Sequence, residues 1–303
     1  MNKISVCLAT FNEEENLKDC LESVKWAEEI VLVDGQSTDK TVALAKKYTN
    51  KIIIRKNPLM FHLNKQKAFA AATQDWILYL DADERVSEKL KKEILAAVKK
   101  KSYQGFWLPR KNIIFGQWIK HSLWWPDYQL RLFRRGKAFL PCQSVHEQPK
   151  LTGKAGYLKS PLIHQSYQTV TQYVERLNHL YTENDLRVFL REKKKIHWYD
   201  ALRFPAEDFL ATFFARKGYR DGLHGLVLSL LQAFSSFITF AKLWEKQGFK
   251  EVKQENFLAR INRELTRLGK NFGYWLLTAR IEEEKKSWAK PILKIKRRLK
   301  MKK

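Results

Sequence analysis

Over the first third of the chain, short apolar runs alternate with segments whose apolar residues recur every three or four positions. Ile4–Ala9, Glu29–Asp34, Lys51–Arg55 and Trp76–Leu80 are strand-length runs rich in β-branched and aromatic residues. Between them, Leu17, Cys20, Leu21 and Val24 share one helical face after Asn12, a candidate cap. A second helix is expected after Thr38 or Asp39, to about Tyr48, and a third around Asn64–Ala72. Ser87 caps a fourth, with Leu90, Ile94 and Val98 turned inward. Near-continuous apolar strands alternating with helices predict an α/β fold, its mostly parallel sheet covered on both faces. Ligands of such sheets bind beyond the carboxyl ends of the strands. Polar residues gather there: Thr10, Asn12 and Glu14 after the first strand, Asp34 to Asp39 after the second, and Asp81 and Asp83 after the fourth.

The pattern then changes. Gly105–His164 is richer in aromatics and strand-like pieces, and after Thr171 the periodicity turns helical, beginning with Tyr173–Leu190 and interrupted at Pro205. This divides the chain into a first domain over 1–170, with halves 1–103 and 104–170, and a helical region over 171–303 with a basic tail. Gly225–Ala241 carries no formal charge, but Ser229, Gln232, Ser236 and Thr239 recur at helical spacing. Such a stripe suits a helix packed on protein or lying in a membrane interface better than one that spans.

Composition narrows the partners. With 303 residues and 45% hydrophobic content the chain is too apolar for disorder, and its formal charge of +25 points to a polyanion. Nucleic acid, an anionic membrane or an acidic substrate would each serve. No helix-turn-helix, zinc-finger or RNP-type motif supports nucleic acid. Cys7, Cys20 and Cys142 are scattered, as in a reducing compartment, and no signal peptide is visible, so a cytoplasmic location is expected. There is neither GxGxxG nor a P-loop.

The acidic clusters suggest chemistry. An Asp-x-Asp turn at a strand end offers short carboxylates to Mg²⁺ or Mn²⁺, which stabilise a departing diphosphate. Asp83, at the mouth, is the expected metal ligand, and Asp81 the group nearer a ribose or a metal-bound water. Asp34 is placed to accept from a base or ribose, and Lys65 and Lys67 precede the fourth strand, where they would face phosphate.

ATFNEEENL, VDGQSTDKT and DWILYLDADER, in this order and spacing, resemble family 2 glycosyltransferases of the GT-A fold. RLFRRG, VHE and LIHQSY extend the resemblance toward the subgroup of lipopolysaccharide inner-core β-1,4-glucosyltransferases, and GYRDGLHGLVLSLLQAFSSF resembles the membrane-associated helices of many such enzymes. The resemblance implies an inverting transferase of the GT-A class with a helical, membrane-apposed C-terminal region. Thr10 and Glu14 would line the nucleotide pocket with Asp34, and Asp81 and Asp83 match the family's DxD. Glu147 would be the base that deprotonates the acceptor hydroxyl, with His146 orienting it or touching the acceptor. His164 would be a further metal ligand. Arg131 and Arg134 carry guanidinium forks suited to diphosphate or an acidic acceptor, and Trp118, Trp124 and Trp125 fit a sugar platform, the core or a membrane interface.

The expected partners are therefore a UDP-sugar, a glucose donor by the subgroup, and a membrane glycolipid such as lipopolysaccharide core. Lys285–Lys303 holds ten Lys or Arg and no acid, mixed with Trp, Ile and Leu, as in a helix lying on the anionic inner face of the cell membrane. Transfer to a polyprenyl phosphate or to a capsular or surface glycan is the enzymatic alternative. A sugar-nucleotide-binding protein without catalysis, or a basic membrane or RNA adaptor, is the non-enzymatic one.

Overall fold

Every apolar run expected as a strand is one; three are buried, and the third in the chain, at the sheet's edge, is partly exposed. The computed structural model describes residues 2–58, 60–142, 147–178, 182–192, 196–251 and 255–302. Strands β1 (Ile4–Thr10), β2 (Glu29–Asp34), β3 (Ile52–Ile54) and β4 (Trp76–Leu80) alternate with helices α1 (Glu14–Val24), α2 (Thr41–Ala45) and α3 (His62–Ala71). A two-residue strand β5 (Glu84–Arg85) precedes α4 (Glu88–Ala97). The remainder of the sheet comes from β6 (Gly105–Ile114), β7 (Gln117–Trp118), β8 (Asp127–Arg134), β11 (Ala155–Tyr157) and β12 (Leu162–Tyr167), while β9 (Ala138–Phe139) and β10 (Lys150–Leu151) pair apart.

The strand order is β3-β2-β1-β4-β8-β6-β12-β5. The first four strands are parallel, and β8 then enters antiparallel between β4 and β6. Apolar clusters cover both faces, one around Leu8, Leu17, Leu32 and Leu78 under α1, the other around Val31, Phe69, Ile77 and Phe133 under α3. The order also demands a curl. In a flat sheet β4 and β5 would stand about 19 Å apart, four strand spacings. The chain from Leu80 to Glu84 reaches about 14 Å at most, and it spends that reach in a turn closed by Glu84 N–H on the Asp81 carbonyl, 3.0 Å. The sheet therefore bends round to bring its far edge back to the end of β4. A mixed, curled sheet between helical layers, followed by C-terminal helices, is the GT-A arrangement implied by the resemblance.

Local signals fared unevenly. Ser87 does cap α4, its Oγ accepting from Leu90 N–H at 3.2 Å. Asn12 caps nothing: it takes a left-handed conformation (φ 53°) and its side-chain oxygen accepts from Thr38 N–H, at 2.9 Å, across the loop. The second helix is shorter than expected, since Asp39 closes a turn on Thr41 N–H, at 2.9 Å, before it begins.

The chain forms two units, Met1–Trp118 with Trp124–Gln168, and Ile119–Leu123 with Thr169–Lys303. Both halves expected within the first domain share the one sheet. The second unit contains α5 (Val170–Arg176), α6 (Thr182–Arg191), α7 (Asp200–Phe209), α8 (Gly222–Lys246), α9 (Phe257–Glu283) and α10 (Ala289–Lys302). Pro205 lies inside α7 and does not end it. The weakly polar stripe of α8 turns toward α7: Ser229 and Thr239 are buried, and Gln232 and Ser236 reach Asp208. A Cβ on Gly225 would stand 1.8 Å from the Gly218 carbonyl oxygen, so only glycine lets α8 lie this close to the turn that precedes it. The segment Gly218–Lys246 is long and apolar enough to cross a membrane, and exposes Leu230, Phe234 and Phe237 opposite the buried stripe. On α10, Leu293 is buried against the bundle, while Ile292, Ile295 and Leu299, with Trp288 just before the helix, form an exposed apolar stripe among the cations.

Candidate active site

The turn after β4 is fixed from three sides. Glu84 Oε2 accepts from Asp81 N–H at 2.9 Å, and the Arg85 guanidinium donates to the carbonyls of Ala82 and Asn16, both at 2.7 Å, pinning the turn to α1. The sheet supplies the rest by alternation. Residues two apart on a strand share a face. Asp127, Gln129 and Arg131 on β8 therefore line up, as do Arg110 and Asn112 on β6. Register places Arg110 beside Asp127 and His164 beside both Asn112 and Glu84.

These residues join Asp81 to Asp83 by a continuous polar chain. Lys65 Nζ meets Asp81 Oδ1 at 2.6 Å, and Arg131 Nη2 meets Asp81 Oδ2 at 2.6 Å and Glu84 Oε1 at 2.7 Å. Arg110 stands 3.6 Å from Glu84 and 2.7 Å from Asp127. Asp127 accepts from Asn112 Nδ2 at 3.2 Å, Asn112 Oδ1 meets His164 Nδ1 at 2.6 Å, and His164 Nε2 faces Asp83 Oδ2 at 3.4 Å. Burial opposes each of these charges, but Arg131 and Lys65 outweigh it at Asp81 and hold its carboxyl well below the ordinary range. By the same pairing Arg131 is held well above the ordinary arginine value, and Lys65 above that of lysine. The Tyr79 ring lies against both cations, with centroids at 4.1 Å from Arg131 and 4.9 Å from Lys65.

Along this chain three cations (Lys65, Arg110, Arg131) meet four carboxylates (Asp81, Glu84, Asp127, Asp83). The chain ends at Asp83, beside an imidazole nitrogen. Among the described residues no three His, Cys, Asp or Glu side chains gather round one point. Two protein donors nevertheless suit Mg²⁺ or Mn²⁺, which retain waters and take phosphate oxygens from a substrate. The donor set at Asp83 and His164 fits such an ion; Asp81, gripped by two cations, is placed to set the turn.

Other expected site residues fall in several places. At the β1–β2 edge, Asp34 is fully buried and accepts from Thr10 Oγ1 (3.2 Å), Ser37 N–H (2.8 Å) and Ser37 Oγ (2.6 Å), so its carboxylate shapes the loop from inside. Glu14, nearby, accepts from Lys40 N–H at 2.9 Å. Lys67 is turned away: on α3 it lies two residues from buried Lys65, about 200° round the helix, and is exposed. Arg134 is likewise away from this edge. Three residues beyond Arg131 on an extended strand, it points to the other face, and its register partner is Trp76 at the opposite end of β4, whose ring it covers at 4.7 Å. Glu147 is half-buried, next to Gln148, which bonds Gln129 and Leu130 on β8. His146 lies outside the described residues. Trp124 offers its carbonyl to Asn112 at 2.9 Å, and Trp118 and Trp125 meet edge to face at 5.2 Å.

Glu84, Arg110, Asn112 and Asp127 were missed by sequence reasoning. For the last three the signal was parity, polar residues at every second position of β6 and β8; Glu84, on a two-residue strand, gave none.

Residues 5–153 match the family described as Glycosyl transferase family 2. An uncharacterized glycosyltransferase of Rickettsia typhi is 28% identical over 278 residues, covering 86% of this chain and 92% of its own. The lipopolysaccharide core biosynthesis glycosyltransferase LpsC of Rhizobium meliloti is 29% identical over 257 residues, covering 82% and 94%. Among solved structures, S. aureus TarS 1-349 aligns at 15% identity with a TM-score of 0.44, over 79% of this chain and 91% of that one.

Proposed function

Through residues 5–153 the chain belongs to glycosyl transferase family 2, and from that membership we propose that it moves a hexose from a UDP-sugar to a sugar hydroxyl of a membrane glycolipid, with inversion. The observation that carries the reading is the Asp83–His164 pair, which closes a buried chain of charges at the carboxyl end of β4. These two residues would hold a divalent cation, and the nitrogen donor favours Mn²⁺ over the harder Mg²⁺. When bound, the cation neutralises charge on the leaving diphosphate.

The chain's own groups divide the remaining work. Thr10, Asp34 and Glu14 fix the loops that flank the nucleotide. Asp81 is held ionised by Lys65 and Arg131 and keeps the turn rigid, so Asp83 needs no rearrangement when substrate arrives. Glu147 takes the proton of the acceptor hydroxyl as that oxygen attacks the anomeric carbon and the C–O bond to UDP breaks. The tryptophans of the Trp118–Trp125 stretch give the acceptor sugar an apolar wall.

A lipopolysaccharide-core acceptor is supported by the similarity to LpsC and by the basic surface, whose charge of +25 complements a phosphorylated glycolipid. The exposed stripe of α10 among its cations supports attachment to the cytoplasmic face of the membrane. The test is a screen of nucleotide-sugars for UDP release, with and without Mn²⁺, with lipopolysaccharide core as acceptor. Cation-dependent turnover that requires the acceptor is the expected result; a lack of turnover with every donor would sink the reading.

A further inference from the structure

We infer that Asn112 is a positioning residue that fixes the tautomer of His164, leaving Nε2 bare toward Asp83. The inference rests on the reading that Asp83 and His164 hold the cation, and deepens it. Strands β6 and β12 run parallel with Asn112 and His164 in register, so the two side chains lie side by side on one face. Asn112 is fully buried, and its Oδ1 is 2.6 Å from His164 Nδ1.

The amide has one allowed orientation. Its Nδ2 stands 2.9 Å from the Trp124 carbonyl and 3.2 Å from Asp127 Oδ2. Asp127 is paired with Arg110 through Nη2 at 2.7 Å and Nε at 2.8 Å, so it is an acceptor too. A flipped amide would set its oxygen against two acceptors and its NH₂ against the imidazole. Oδ1 therefore faces His164, and since an amide oxygen only accepts, the proton sits on Nδ1. An imidazole with a single proton then carries its lone pair on Nε2, 3.4 Å from the Asp83 carboxylate. In that tautomer Nε2 and the Asp83 carboxylate are both lone-pair donors, an arrangement that suits a shared cation. Nothing on His164 itself would choose this tautomer; the choice is made by three groups on β6, on β8 and in the loop between them.

The experiment uses the full chain with histidine-selective ¹⁵N labelling and no added metal, at about pH 8.5, where an ordinary imidazole is neutral. Long-range ¹H–¹⁵N spectra report which ring nitrogen is protonated, and His164→Gln assigns the signal. The expected result is Nδ1–H in the wild type, a shift toward Nε2–H in Asn112→Leu, and Mn²⁺ affinity (electron paramagnetic resonance, with UDP present) lower by about 10–100-fold. UDP binding without Mn²⁺ should not change in this variant. Nε2–H in the wild type overturns the inference without any variant. An unchanged tautomer or an unchanged Mn²⁺ affinity in a folded Asn112→Leu overturns Asn112's part. The cation reading fails separately, if Asp83→Asn and His164→Gln bind Mn²⁺ as the wild type does.

Discussion

Arg131 reaches Asp81 with the same terminal nitrogen that holds Glu84, at 2.6 and 2.7 Å. The two carboxylates share one guanidinium; Arg131 and Glu84 lie where water can do little to replace a lost partner, and Asp81 is half-buried. Arg131→Met should cost about 3–5 kcal/mol, because it strands the buried Glu84 carboxylate. Arg131→Lys should recover only part of this, since the ammonium restores the charge on a shorter side chain than the one that carries Nη2 to both carboxylates. Urea midpoints of the three proteins check the order.

The same pairing fixes the response to acid. Burial disfavours the Asp81 charge, but Arg131 and Lys65 hold its carboxyl well below the ordinary range. Glu29 is half-buried, which raises its carboxyl, yet Lys51 and Ser5 bring it down to about 2. Groups depressed in the folded state give stability that is complete above their unfolded values, near about 4, and is lost as pH falls toward the folded ones. Unfolding free energy should therefore be insensitive to these groups from neutrality to about pH 5 and fall below it. Lys65→Met should leave that onset in place, since the unfolded value sets it, and should shrink the loss below it, because Asp81 loses a cation and its folded value rises.

Asp83→Asn keeps size and shape and removes the charge. It should lower Mn²⁺-dependent turnover by about 10²–10³-fold, the scale of losing one preorganised electrostatic partner. The urea midpoint should barely move. A variant that retains full turnover would remove Asp83 as the ligand.

Glu147→Gln should reduce the transfer rate by about 10²–10⁴-fold with UDP affinity preserved. Calorimetric titration with UDP and single-turnover transfer separate the two effects.

Ile292→Glu with Ile295→Glu should weaken sedimentation with anionic vesicles while leaving thermal stability intact, since both side chains are exposed. Added salt should weaken binding of the wild type as well, because each nearby Lys or Arg contributes about 1 kcal/mol. Equal sedimentation of both proteins would count against α10 as the anchor.

The strands and the acidic turn could be read from the chain because burial writes itself as runs and periods. WILYL is buried at every position, so its end, and hence Asp81, was placed correctly. The partners of Asp81 were not legible in the same way. Arg131 lies fifty residues on in sequence, and which strand stands beside β4 depends on the curl. Arg134 shows the reverse error: close in sequence to Arg131, it faces the other way because a strand alternates with period two. Lys65 and Lys67 were read together, although a helix separates such neighbours. Asn12 offered a plausible cap, but the loop after β2 claimed its side chain first.

Members of the polar chain come from β5, β6, β8 and β12, each strand giving only residues of one parity. A slip of one residue in any of these pairings would turn that strand's contribution to the opposite face. A misassembled sheet could still be compact, but its Asp83 would find no correctly held imidazole. Recovery of Mn²⁺ binding on refolding would thus work as a proofreading signal: it reports that four strands have chosen the right neighbours in the right alignment, which the return of helical circular dichroism alone would not.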